Sequence, residues 1–144
     1  MVNPLSIKPL AALFVALMLA APVSATTQAE INATLRADVS IWDGLFAIAL
    51  ADQLRETCPT LEARRIRATR FIYGIYGQAR DYGFSRSEIR AFQRDDGVGD
   101  QMRARVMGYF EENGVREGAP ETYCALGEAE IAAGSPAGTL LRAR

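Results

Sequence analysis

Histidine is absent from all 144 residues, and lysine occurs once, at Lys8. Without histidine the chain can hold no Ser-His-Asp or Cys-His catalytic centre and no His-ligated zinc site. With no lysine beyond position 8, Schiff-base and P-loop mechanisms are excluded as well. Neither sign of charge is in excess: Lys+Arg 16 against Asp+Glu 17 leaves a net charge of −1, which argues against a general nucleic-acid binder. There are two cysteines and no C-x-x-C, so the usual dithiol redox motif is missing. No repeat, no low-complexity tract and no convincing alternating strand pattern appears, and the length suits one domain.

What is present speaks first about compartment. Lys8 precedes the unbroken apolar run Leu10–Ala21, and Pro22-Val23-Ser24-Ala25 follows, the order of a secretory signal. The expectation is a signal peptide over 1–25, cleaved after Ala25, and a helical domain over 26–144. The rival is a retained anchor, although the apolar run falls short of the ~20 residues that cross a bilayer. Removal of residues 1–25 takes Lys8 away and leaves 15 arginines against 17 acidic residues, a net charge of −2. Export to the periplasm makes a Cys58–Cys124 disulfide the default, with a redox pair or a metal site as alternatives. In the chain-entropy picture a loop of that length stabilises the fold by about 4 kcal/mol. No cofactor and no metal are expected, since carboxylates alone complete a poor zinc set.

Glycine and proline punctuate a helical pattern. A short polar helix is expected over Gln28–Ala37. Asp38 or Ser40 can cap the next, where Ile41, Leu45, Ile48 and Ala49 recur at helical spacing until about Glu56, ahead of Pro59. Thr60 is expected to cap a long helix, Leu61–Tyr82, with Leu61, Ala68, Ile72, Ile75 and Ala79 as its deepest stripe and Gly83 as its stop. Gly74 and Gly77 inside it each cost about 1 kcal/mol relative to alanine, which a close helix crossing would justify. Ser85-Arg86-Ser87-Glu88 is a capping box, flanked by a Phe84–Ile89 staple, for a helix ending near Asp95. Asp96-Gly97-Val98-Gly99 reads as a turn before a helix over Asp100–Asn113. Pro120–Ala133, stopped by Gly134, and Pro136–Arg142 complete an all-α single small domain of about five or six helices with one disulfide.

Four groups of side chains invite a functional reading. Asp52 lies in line with the Ile41–Ile48 stripe, so it is a candidate for a buried ion pair with Arg65, or with Arg55 one turn along. Alternatively it is a general acid or base working with Asp43 or Glu56. Arg64, Arg65, Arg67 and Arg70 cluster at the start of the long helix. Cations are disfavoured at that end, so the cluster does not serve helix stability; it can hold an anion or an acidic partner, or be a solvated helix start. Phe71, Tyr73, Tyr76, Tyr82 and Phe84 are read as core before ligand groove, and Trp42 as packing or an interface anchor. Asp95, Asp96 and Asp100 look superficially like a calcium loop, but Val106 stands where the closing glutamate belongs.

At Cys58-Pro59, at Tyr123-Cys124-Ala125-Leu126-Gly127, and at Ile131, Gly134, Ser135, Gly138, Leu141 and Asp52, the chain resembles an uncharacterised family of small exported alphaproteobacterial proteins. The resemblance implies a link to the operon of the proton-pumping respiratory NADH dehydrogenase. The implied role is accessory or in assembly, on the periplasmic face of that complex's membrane arm, with at most peripheral membrane contact. Taken together, the expectation is a non-enzymatic periplasmic helical protein that binds a protein partner through Arg64, Arg65, Arg67, Arg70 and Trp42. The alternative is a small-ligand binder or hydrolase built around Asp52.

Overall fold

The computed structural model describes residues 25–144, so the expected signal peptide lies outside the described residues except for Ala25. Helix α1 (Gln28–Ala37) opens with a reciprocal capping box between Thr27 and Glu30 and buries Ile31 and Leu35. Asp38 ends α1 and caps α2 (Val39–Thr57), its carboxylate accepting from the Ile41 N–H at 3.0 Å. Helix α2 is the axis of the fold and touches α1, α3, α5, α6 and α7. That central position rotates its buried side away from the expected one. Ile41, Gly44, Ala47, Leu50, Ala51 and Leu54 are buried, while Leu45, Ile48 and Ala49 are half-buried.

The largest departure from expectation follows Pro59. Leu61–Ala63 is strand β1, not the first turn of a helix, and Thr60 caps nothing. Its partner is β2 (Leu141–Ala143), where the last helix was expected to continue. The two run antiparallel, pairing Leu61 with Ala143 and Ala63 with Leu141. Leu61 and Leu141 are each 1% exposed, so burial and pairing between distant segments override local helix propensity. Helix α3 then runs Arg65–Asp81 from Arg64 without any side-chain cap.

Helix α4 (Arg86–Arg94) begins with the Ser85/Glu88 capping box, and Ile89 is buried in the cluster against which Phe84 packs. Helix α5 (Asp96–Glu112) begins four residues before the expected Asp100, because Asp95 accepts from the Val98 N–H at 2.9 Å and turns the Gly97–Gly99 stretch into a first turn. Helix α6 (Pro120–Ala133) stops at left-handed Gly134, and α7 (Pro136–Thr139) is a single turn. The described residues thus form seven helices, where five or six were expected, and one two-stranded ribbon. No helix among them is long and apolar enough to cross a membrane.

Two apolar clusters flank α2. One gathers α2, β1, α5, α6, α7 and β2 around Leu54, Leu61, Phe110 and Leu141; the other joins α1, α3 and α4 around Leu35, Ile41, Ile75 and Phe92. Gly127 lets α6 meet β1: a Cβ there would stand 2.2 Å from Leu61 Cδ1. The Cys58–Cys124 disulfide bridges the end of α2 to α6 beside this contact, with Cys58 fully buried. It ties residues 66 apart, so replacing both cysteines by serine should lower stability by about 4 kcal/mol. Urea unfolding of the oxidised wild type and the double variant measures this directly, and the wild type in reductant should match the variant.

Candidate functional site

Helix α3 is the least buried long element. Of its 17 residues only Ile75 and Ala79 are buried, and it leaves Ile66, Ile72 and Tyr73 exposed at 74%, 45% and 69%. Arg64, Arg65, Arg67 and Arg70 come together around an open recess of about 810 Å³, joined by Arg142 from β2. Glu62 lies in the same recess, but its carboxylate is taken by Arg142 at 2.6 Å across the ribbon. None of the other four arginines forms an ion pair with an acid among the described residues. Unopposed guanidinium groups presented as a group suit phosphate or carboxylate recognition.

Along its other side α3 borders a groove. The stripe Ala68, Ile72, Ile75 and Ala79, expected as core, is covered only at its C-terminal half. Further along, Ile48 and Ile72 face each other across an apolar recess of about 450 Å³ floored by Leu35, Ile41, Ile75 and Ala79, with Arg86 and Arg90 on the rim. Of the aromatics expected as core, Phe71, Tyr76 and Phe84 are partly buried and pack against it, whereas Tyr73 is exposed on the groove, which Tyr76 also lines. Tyr82 is also exposed, stacked on Phe84, and its hydroxyl donates to Asp38 at 2.7 Å. That bond, with the Ile41 amide, holds the Asp38 carboxyl below its usual range.

The expected buried pair Asp52–Arg65 does not form. Asp52 follows the groove-side stripe of α2, not its buried one, so it is half-exposed and bonds Arg55 one turn along, while Arg65 points into solvent at the far wall. The other carboxylates proposed to act with Asp52 are also held by arginines: Glu56 sits 3.6 Å from Arg55, and Asp43 sits 2.6 Å from Arg105. Trp42 is half-buried and packs on the α1–α3–α4 cluster, its carbonyl accepting from Arg105 at 3.4 Å. Asp95 and Asp100 serve as helix cap and as partner of Arg103. No group of metal-ligating side chains occurs among the described residues.

One buried carboxylate escaped the sequence reading. Glu130 is 7% exposed in the last turn of α6 and accepts from the hydroxyls of Tyr109 and Ser135. Ser135 in turn accepts from the Gly138 N–H at 2.9 Å and so starts α7, and α7 lies so close that a Cβ at Gly138 would stand 2.0 Å from the Glu130 carbonyl. Tyr109 packs edge-on against Phe46, which carries Arg105 on its face at 4.3 Å. An anion at a helix C-terminus opposes the dipole, and that placement is the signal that could have marked Glu130 as a paired group. Its hydrogen bonds hold α7, and through it β2, in place.

Residues 33–142 match a family of unknown function, DUF5333. The chain belongs to that family. No curated protein and no solved structure matches it. The DUF5333 span takes in both cysteines, the α3 arginines, the Glu130 network and all of the groove lining except Arg144; among the described residues it leaves out the first turns of α1 with the residues before them, and Ala143 and Arg144 at the end.

Within this DUF5333 fold the Glu130 network predicts a pH response. Its carboxylate and partial burial push the Tyr109 phenol up to about 12. The protonated phenol therefore adds stability in full below its unfolded value near pH ~10, and this is lost as pH rises through about 12. Tyr109→Phe should flatten the alkaline limb of the stability curve. At neutral pH it should cost about 1–3 kcal/mol, because a buried acceptor loses its donor. Denaturant titrations from pH 7 to the alkaline limit, followed by far-UV circular dichroism, read both effects.

Proposed function

We propose that this is a non-enzymatic periplasmic protein that works by binding a partner protein through the surface of α3. One observation carries the reading: a 17-residue helix buries two side chains and presents three large apolar residues among unopposed arginines. Soluble monomers rarely leave such a surface without an occupant. The two α3 glycines point the same way. Among the described residues no atom beyond the flanking residues and the helix's own backbone lies within 4 Å of a Cβ built at Gly74 or Gly77, so no crossing among them explains the two glycines, and each lowers helix stability by about 1 kcal/mol. Close approach of a second molecule gives both a purpose. Arginines around Ile66 and Tyr73 suit an acidic, partly apolar partner face.

The periplasmic placement rests on the signal-like N-terminal sequence and agrees with the disulfide, which persists in oxidising compartments. The resemblance to small exported proteins linked to the respiratory NADH dehydrogenase makes the periplasmic side of that complex's membrane arm the first partner to test, with this chain as an accessory or assembly factor.

Native sizing of detergent-solubilised membranes should find the protein in a complex larger than itself, and migration solely as a free monomer overturns the reading. Reversing charge at Arg67→Glu and Arg70→Glu should weaken that association about tenfold or more, a loss of at least ~1.4 kcal/mol, without unfolding the chain. Gly74→Ala and Gly77→Ala should each raise the melting temperature of the isolated protein while weakening the complex.

A further inference from the structure

Three recesses run end to end beside α3. The apolar one shares Ile48 and Ile72 with a small middle recess of about 150 Å³. That one shares Arg55, Ala68 and Ile72 with a third, of about 520 Å³, that reaches Arg65 and Arg144. They make one groove between α2 and α3, from Arg65 to Ala79. Fourteen residues of helix rise give it a length of about 21 Å.

Charge along the groove is not uniform. The middle is apolar, with Ile48 opposite Ile72. One end carries Arg86 and Arg90, one turn apart on α4, and the other carries Arg65 and Arg144. None of these four has an acidic partner among the described residues, whereas the two acids that line the groove, Asp52 and Glu62, are already bonded to Arg55 and Arg142. Ile72 is 45% exposed and Tyr73 69%, so the outer lip stands open to solvent. A small ligand in a specific site has most of its surface enclosed, which this lip does not provide. A helix laid lengthwise needs only one face covered.

We infer that the α2–α3 groove takes an amphipathic helix of the partner protein, about four turns long, with an apolar stripe on Ile48 and Ile72 and acidic residues at both ends. This inference rests on the partner-binding reading above and names the chemistry of what is bound. The partner's leucine-like side chains fill the middle recess, and its two acidic ends meet Arg86 with Arg90 and Arg65 with Arg144. Because Arg67 and Arg70 do not line the groove, their contact with the partner is a separate part of the same interface.

The test uses two synthetic helical peptides of about 14 residues, matched to the groove length. Both carry leucine at every third and fourth position; one has glutamate in its first and last turns and the other has lysine. The acidic-ended peptide should bind the oxidised protein at least tenfold more tightly than the lysine-ended one, weaken with added salt, and shift the NMR signals of Ile48, Ile72 and Tyr73. Ile72→Glu should abolish binding, and Arg86→Glu with Arg90→Glu should cancel the preference between peptides, since Arg65 and Arg144 still favour the acidic end; circular dichroism confirms that each variant is folded. Equal binding of the two peptides, binding of neither, or dodecanoate occupying the groove in place of a peptide overturns the inference. Should Arg67→Glu with Arg70→Glu break the membrane complex while Ile72→Glu leaves it intact, the partner-binding reading stands and the groove inference falls. Should no complex exist at all, the broader reading falls with it.

Discussion

Everything else in this fold depends on how β2 is held against β1. The ribbon is only three residues long on each side, too short to stand without support. It is supported from three directions: Leu61 and Leu141 are sealed in the α2–α6 core, the disulfide fixes α6 beside β1, and Glu130 ties α6 to α7 through Ser135. Once β1 is fixed, Arg64 donates its backbone N–H to Leu140 at 2.7 Å, and α3 departs from that point. The arginine surface is therefore set by tertiary contacts and not by any capping preference of its own.

This explains an otherwise awkward helix. Helix α3 starts with no side-chain cap and with cations in its first turn, where the dipole disfavours them. Its apolar stripe is only half covered, and two glycines interrupt it. Each of these features weakens α3 as an element, and the proposed partner surface would account for them together. The carboxylates near it, by contrast, are engaged with arginines, which leaves the positive groups as the ones free to meet a ligand.

How much could be read from the sequence varied with how local the cause was. Helices α1 and α6 were legible to the residue, because a cap, a proline and a terminal glycine lie within a turn of their ends. The disulfide was legible because two cysteines admit one pairing. The β1–β2 ribbon was not, since a three-residue strand has no period to detect and its reason lies in a partner at the far end of the chain. The start of α5 was masked because Gly97 and Gly99 make Asp96–Gly99 look like a turn, although the Asp95 cap wins. Of the candidate site, the arginine cluster was visible as composition, while the open side of the α3 stripe was not. Periodicity tells which residues share a face, not whether anything in the same molecule covers it. Asp52 was misplaced for the same reason: its stripe is real but borders the groove.

The ribbon also sets an order of events. Glu62 and Arg142 meet across 80 residues of sequence. During synthesis, then, the arginine-rich helix emerges long before the strand that anchors its first turn. Until that late segment arrives, the recess lacks one wall and Leu61 has no cover. The recess beside the arginines is thus finished last, and a chain clipped before Leu141 lacks one of its walls.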